Sequence, residues 1–140
     1  MKILTAAYKQ MIDSYTVVPH EQGGILGEKN GIICAYFHDV STQSITFATY
    51  TPNIERLNTQ IKLWTQQNIR FCGIIHSHPL DQKYLSEQDQ QYIRSITEAV
   101  PKYITKLFFP IIIPGHGIYS YSVYTDQPNF SIHPDKIIIM

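Results

Sequence analysis

The residues of this chain whose types and spacing can do chemistry lie in one short stretch: His76-Ser77-His78-Pro79, then Ser86 and Asp89. Neutral imidazole is the commonest metal ligand in proteins. In an extended strand, residues two apart point to the same face, so both rings can converge on one point where the strand ends. Asp89, in the first turn of a helix brought back by a short loop, can supply a third ligand. Two histidines and one carboxylate leave the fourth zinc position open, which is the pattern of a catalytic site rather than a structural one. Zinc in such a site lowers the pKa of a bound water to about 7. A base must still take the proton. No H-E-x-x-H helix supplies one, and the candidate is Glu21, just before Gln22-Gly23-Gly24-Ile25-Leu26-Gly27.

Each part of this pattern has a plainer reading. Ser86 with Asp89 three residues on is also a capping box. An acidic residue beside glycines is a common loop residue. The combination H-x-H-P-x6-S-x2-D is far more specific: a chain of this composition carries it by chance in on the order of a few cases in 10^5. A serine that caps a helix can still face a metal. The other histidines, His20, His38, His116 and His133, read as surface or core residues. His116, between Gly115 and Gly117, is in a loop able to line a cleft, and residues 81–84 read as a solvated loop within reach of a substrate.

Several elements must position these groups. Residues 3–15 place Ile3, Leu4, Ala7, Tyr8, Met11, Ile12 and Tyr15 on one helical face. The glycine-rich stretch 23–27 leads into a strand over 31–37, with 43–50 as its hairpin partner. Thr51-Pro52 reads as cap and first residue of a second helix, whose stripe of Ile54, Leu57, Ile61 and Trp64 runs to about Asn68. The run 71–76 reads as a buried strand ended by Pro79. Ser86 opens a third helix with Tyr92, Ile93 and Ile96 inward. Residues 107–113 and 118–124 read as strands. In the latter, Tyr119, Tyr121 and Val123 alternate with Ser120 and Ser122, so one face is buried and the tyrosines read as packing. The run 137–139 reads as a last short strand. Helices among strands in this order predict an α/β (α+β) fold, a mixed β-sheet flanked by helices.

The chain has 140 residues, 44% hydrophobic and 16% charged, a size and composition that suit a single domain spanning 1–140. Eleven basic residues balance eleven acidic ones. Zero net charge and the lack of any Lys/Arg cluster give no case for a nucleic-acid or anionic-membrane partner. Cys34 and Cys72 form no metal-type spacing and read as reduced thiols. The N-terminus is too poor in apolar residues for a signal peptide, and Pro110, Pro114 and charged residues break the apolar runs, so a cytoplasmic protein is expected.

Glu21 with Gly24-Ile25-Leu26, then His76-Ser77-His78-Pro79, then Ser86 and Asp89, resembles the JAMM motif of the JAB/MPN metalloprotease family. The resemblance implies a cytidine-deaminase-like fold. It also implies a site in which Glu21 is the general base, His76, His78 and Asp89 bind one catalytic Zn2+ with its water, and Ser86 stabilises the tetrahedral intermediate. The P-C-x-x-C signature of the zinc deaminases is absent. Many deubiquitinating members carry an aromatic residue just before the first histidine, where this chain has Ile75. The insertions that grip ubiquitin in larger members are missing or very short. The chain is therefore similar to minimal, stand-alone bacterial members, some of which accompany ubiquitin-like conjugation enzymes in antiphage systems. The implied activity is cleavage of the amide bond after the C-terminal glycine of a ubiquitin-like or sulfur-carrier protein. Two other functions fit parts of the pattern: an MPN-type scaffold without catalysis, and a zinc hydrolase of short peptides or cysteine adducts. The oligomeric state is not written in the sequence.

Overall fold

A computed structural model of the chain describes residues 1–15, 21–39, 50–79 and 82–140. The strands are β1 (Lys2–Ile3), β2 (Gly23–Lys29), β3 (Ile32–Asp39), β4 (Arg70–Ser77), β5 (Lys106–Phe108), β6 (Ile111–Ile113), β7 (Gly117–Tyr124), β8 (Ile132–Asp135) and β9 (Ile138–Ile139). The helices are α1 (Thr5–Asp13), α2 (Ile54–Gln66) and α3 (Glu87–Ala99). All strands join one mixed sheet in the order β5-β7-β6-β4-β2-β3-β1-β9, with β8 added on β7.

Strand β4 lies in the middle, antiparallel to β2 and parallel to β5 and β6. A strand covered on both faces needs a near-continuous apolar run, and Phe71 to Ser77 are all buried. A shift in the β2–β4 register between Leu26 and Gly27 resets the alternation. As a result Cys72 and Ile75 face one core, while Phe71 and Ile74 face the other. The first core packs α1, through Ala7 and Met11, against Leu26, Ile33 and Tyr36. The second packs Leu57 and Trp64 of α2 and Ile93 of α3 against Ile25, Ile74 and Phe109. Helices therefore cover both faces of the sheet, as the pattern of elements predicts.

The β2–β3 hairpin turns at Asn30 and Gly31, both with positive φ (54° and 78°), the conformation of a two-residue primed turn. Buried Glu28 accepts the Gly31 N–H at 2.7 Å and pairs with Arg70 across the sheet, so the turn carries its own counter-ion. The hairpin partner of β3 is thus the glycine-rich segment itself, which is a strand; its glycines make room for neighbouring rings. The expected partner at 43–49 lies outside the described residues, and Tyr50 is in no strand.

Other boundaries move for local reasons. Lys2–Ile3 pairs as a strand before the first helix starts. The cap of α2 is Asn53, whose side chain accepts the Arg56 N–H, rather than Thr51. The expected strand 107–113 splits at Phe109-Pro110 into β5 and β6, because proline has no N–H for a ladder. In β7 Ser120, Ser122 and Val123 are buried, while Tyr119 and Tyr124 are exposed. Packing by the tyrosines is not what buries that strand. Strand β8 was not expected; Pro134 within it weakens the strand signal. Both cysteines are free. No helix among the described residues is long and apolar enough to cross a membrane.

Candidate metal centre and active site

The site forms where β2 and β4 run side by side and α3 begins. Gly23 is opposite His76, so the residues before Gly23 continue alongside Ser77 and His78. Ser77 fastens that extension. Its N–H donates to the Gln22 carbonyl and its hydroxyl accepts the Gln22 N–H, both at 2.7 Å. Glu21 is thereby carried to the histidine pair from a distant part of the sequence.

His76 and His78 sit at the C-terminal end of β4. Pairing with β6 (His76 with Ile111, Ser77 with Ile112) and a bond from the His78 N–H to the Ile112 carbonyl at 2.9 Å keep the backbone extended through both. Pro79 acts in the same direction, since the residue before a proline is biased to the extended region. Both rings are buried (9% and 4% exposed), so their polar atoms need partners inside the protein. Their ring centroids are 4.6 Å apart and their Nε2 atoms 2.8 Å apart.

Asp89 approaches from α3. Ser86 is the N-cap and Asp89 the third helical residue, with a complete capping box: Ser86 Oγ accepts the Asp89 N–H at 3.0 Å, and Asp89 Oδ2 accepts the Ser86 N–H at 2.8 Å. The same carboxylate faces both histidines, with Oδ1 at 3.2 Å from His76 Nε2 and Oδ2 at 3.1 Å from His78 Nε2. The cap reading and the chemical reading of these two residues therefore describe one arrangement. Ser86 Oγ receives a hydrogen bond, so its own hydrogen is available to the cleft. Glu21 stands on the other side, Oε1 at 3.9 Å from His78 Nε2, with Oε2 accepting the Tyr50 N–H at 3.2 Å.

Electrostatics follow from this crowding. Burial would raise the Asp89 pKa, but hydrogen bonds to His76 and His78 hold its carboxyl well below the usual carboxylate range. For Glu21 burial wins: it pushes the carboxyl up against the lowering effects of His76 and the Tyr50 N–H. Burial would lower His78, and the bonds to Asp89 and the Gln82 carbonyl overcome it and raise the imidazole.

The group fits a metal ion. Donor atoms of Glu21, His76 and His78 lie within 4.8 Å of one another, and the Asp89 oxygens stand 3.2 and 3.1 Å from the two histidine Nε2 atoms. His78 Nδ1 is 2.6 Å from the Gln82 carbonyl. A carbonyl only accepts, so Nδ1 carries a hydrogen, and loss of the proton on Nε2 would leave that lone pair facing the cluster, as a metal-binding histidine requires. The two Nε2 atoms stand 2.8 Å apart, a contact that a hydrogen on one nitrogen or a cation shared by both would satisfy. Donors about 2.0–2.1 Å from one zinc stand roughly 3.3 Å apart, close to the separations of the two nitrogens and the Asp89 oxygens.

The carboxylates open onto a cleft of about 120 Å³, whose walls include Glu21, Tyr50, Ile74, His76, Ser86 and Tyr92. The five side chains singled out in the sequence are therefore brought together. His116 is exposed and does not line the cleft, and His133 is exposed as well. His38 bonds the Tyr36 hydroxyl at 2.7 Å. His20, and Asp81 of the loop between the ligands, lie outside the described residues. Sequence reasoning missed three contributors. Tyr50 holds Glu21, Ser77 fastens β2 to β4, and Gln82 orients His78. Only Ser77 had a signal, its place between the histidines. Tyr50 and Gln82 act here through backbone atoms, which carry no sequence signature.

No family profile matches the chain, and no curated protein matches it. Solved structures do match along its whole length. A protein from Desulfitobacterium hafniense is similar with a TM-score of 0.72 at 16% identity, over 100% of this chain and 93% of that one. A JAB1/MPN domain protein from Archaeoglobus fulgidus is similar with a TM-score of 0.58 at 14% identity, over 100% of this chain and 99% of that one. A protein from Salinibacter ruber gives a TM-score of 0.59 at 17% identity, over 100% and 92%. At these identities the likeness is one of fold: an α+β sheet-and-helix architecture shared with a JAB1/MPN domain.

Proposed function

We propose that this chain is a zinc-dependent isopeptidase or peptidase of the JAMM type that cleaves the amide bond after the C-terminal glycine of a ubiquitin-like protein. One observation carries the reading. Glu21 reaches the His76–His78–Asp89 cluster from a separate strand and stops beside it, 3.9 Å from His78 Nε2, on the wall of an open cleft. A structural metal site would have no use for an extra half-buried carboxylate at its open side.

In this reading His76, His78 and Asp89 hold the ion, which when bound acidifies a water and polarises the scissile carbonyl. Glu21 is the general base. Its carboxylate accepts the proton of the attacking water and returns it to the departing amine nitrogen. Its raised pKa suits both halves of that duty, since a base poised nearer neutrality also serves as an acid. Ser86 donates its free hydrogen to the developing oxyanion, a contact worth about 3–4 kcal/mol in other hydrolases. Asp89, held ionised by its partners, stays a ligand.

A polypeptide substrate is supported by what adjoins the cleft. An apolar groove of about 620 Å³ runs between α2 and α3 and shares Ile74 and Tyr92 with the cleft. Leu57, Ile61, Ile96 and Ile104 line it. Such a groove suits the apolar side chains of an extended tail leading to the scissile bond. The test is to incubate the zinc-loaded protein with ubiquitin-like proteins extended beyond their terminal glycine, and with short peptides, and to weigh the products. Cleavage after the glycine of the folded carriers is expected. Cleavage of the short peptides alone would replace this reading with a small-substrate hydrolase, and no cleavage with zinc bound would leave a binding module.

A further inference from the structure

Asp39 ends β3 directly opposite Gly23, which opens β2. Its side chain is buried, and Oδ2 accepts two hydrogen bonds, from the Tyr50 hydroxyl at 2.6 Å and from the Asn53 N–H at 2.9 Å. The guanidinium of Arg56 stands 3.8 Å from Oδ1 and supplies partial compensation. Burying a carboxylate is costly, and the ledger of partners here is thin. What Asp39 holds is Tyr50, and Tyr50 is fixed at three points. Its hydroxyl is on Asp39. Its ring occupies the space of a missing side chain, since a Cβ on Gly23 would fall 2.2 Å from two ring carbons. Its backbone N–H donates to Glu21 Oε2. Burial and the bond to Asp39 both raise the phenol pKa, so the hydroxyl stays a donor.

We propose that Asp39, acting through Tyr50, is a positioning residue for Glu21, a clamp that aims its carboxylate at the histidine cluster. The proposal rests on Glu21 being the base. Glu21 sits two residues before β2, and its carboxylate is placed by side-chain contacts rather than by the sheet. Of its two oxygens, one faces His78 at 3.9 Å and the other is held by the Tyr50 N–H. Release of Tyr50 lets the carboxylate turn away from the cluster, and a misplacement of about 1 Å costs up to ~10²-fold in rate. The clamp also explains the glycine at position 23: any larger residue there would displace the ring.

Two readouts test this, one independent of activity. In the zinc-loaded protein the position-50 backbone amide, followed by NMR, should shift on Glu21→Gln and should exchange about fivefold faster in Tyr50→Phe, while amides in α1 stay unchanged. In cleavage assays Tyr50→Phe and Asp39→Ala should lower kcat about 10- to 100-fold with KM and zinc affinity near wild type. Asp39→Asn keeps an oxygen acceptor for Tyr50 and should restore most of kcat. A position-50 amide indifferent to Glu21→Gln would overturn the proposal. So would kcat of Tyr50→Phe within about twofold of wild type, or Asp39→Asn as damaged as Asp39→Ala. If Asp39→Ala does not fold, Tyr50→Phe decides, because it keeps ring and backbone. If the wild type cleaves nothing, the proposed function fails, and the amide readout still decides the clamp.

Discussion

Asp89 carries two duties that substitution can separate. As a helix-capping group it accepts the Ser86 N–H; as a proposed ligand it faces His76 and His78. Asp89→Asn keeps a side-chain oxygen for Ser86 but removes the charge. Asp89→Ala removes both. The lost cap is worth about 0.5–2 kcal/mol, and the lost negative charge in the first turn about 0.3–1 kcal/mol. The metal-free Asp89→Ala protein should therefore melt about 2–12 °C lower, at roughly 3–4 °C per kcal/mol for a chain of this size. Metal-free Asp89→Asn keeps the cap and loses the charge that His76 and His78 stabilise, so it should fall between wild type and Asp89→Ala. With zinc the two variants should be equally impaired. A ligand that binds the folded state a hundredfold more weakly loses about 2.7 kcal/mol of linked stabilisation, so both variants should lose about 8–11 °C of the zinc-induced rise. The assay is thermal unfolding with and without zinc, joined to chelator competition for the affinity. Wild-type zinc affinity in Asp89→Asn would refute the ligand role and leave Asp89 a helix cap only.

Other outcomes follow from the same geometry. Gly73→Ala, in the strand that carries both histidines, places a Cβ 2.0 Å from the Phe108 carbonyl oxygen, a backbone atom that cannot rotate away. It should destabilise the protein by about 3 kcal/mol, and denaturant unfolding would detect it. Tyr121→Phe removes the hydroxyl that holds the Lys83 carbonyl at 2.9 Å, next to the Gln82 carbonyl that orients His78. One step removed from an outer-shell contact, it should weaken zinc binding about 3- to 10-fold by chelator competition. Burial would raise the Asp135 pKa, but the N-terminal ammonium at 3.2 Å and Lys106 lower it below the unfolded value. Its contribution is thus fully present above about pH 4 and is lost as pH falls through the folded value. Asp135→Asn should lower stability at pH 7 and flatten the acid limb of the unfolding curve.

How much of this could be read in advance depended on which atoms carry each feature. The histidine pair, Glu21, Ser86 and Asp89 act through side chains, and their types and order are visible in the sequence. The helices were legible from apolar stripes such as Leu57, Ile61 and Trp64. Strand β2 was not, because its glycines have no side chains to show a period; they are there for the Tyr36 and Tyr50 rings and for Trp64. Burial in β7 ran against residue type, since the small Ser120 and Ser122 are buried while Tyr119 and Tyr124 are exposed. The contribution of Asp39 was hidden for another reason. A single acidic residue at a strand end says nothing until the fold brings Tyr50 and Asn53 to it.

The proposed function turns on Glu21, the residue that would make a hydrolase of a metal site. The most direct measurement is the rate at which zinc-loaded wild type and Glu21→Ala cleave a ubiquitin-like protein after its terminal glycine, with zinc content measured in the same samples. Equal zinc in both and a loss of at least about 10²-fold in kcat for the variant are expected. Equal rates at equal zinc content would contradict the proposed function.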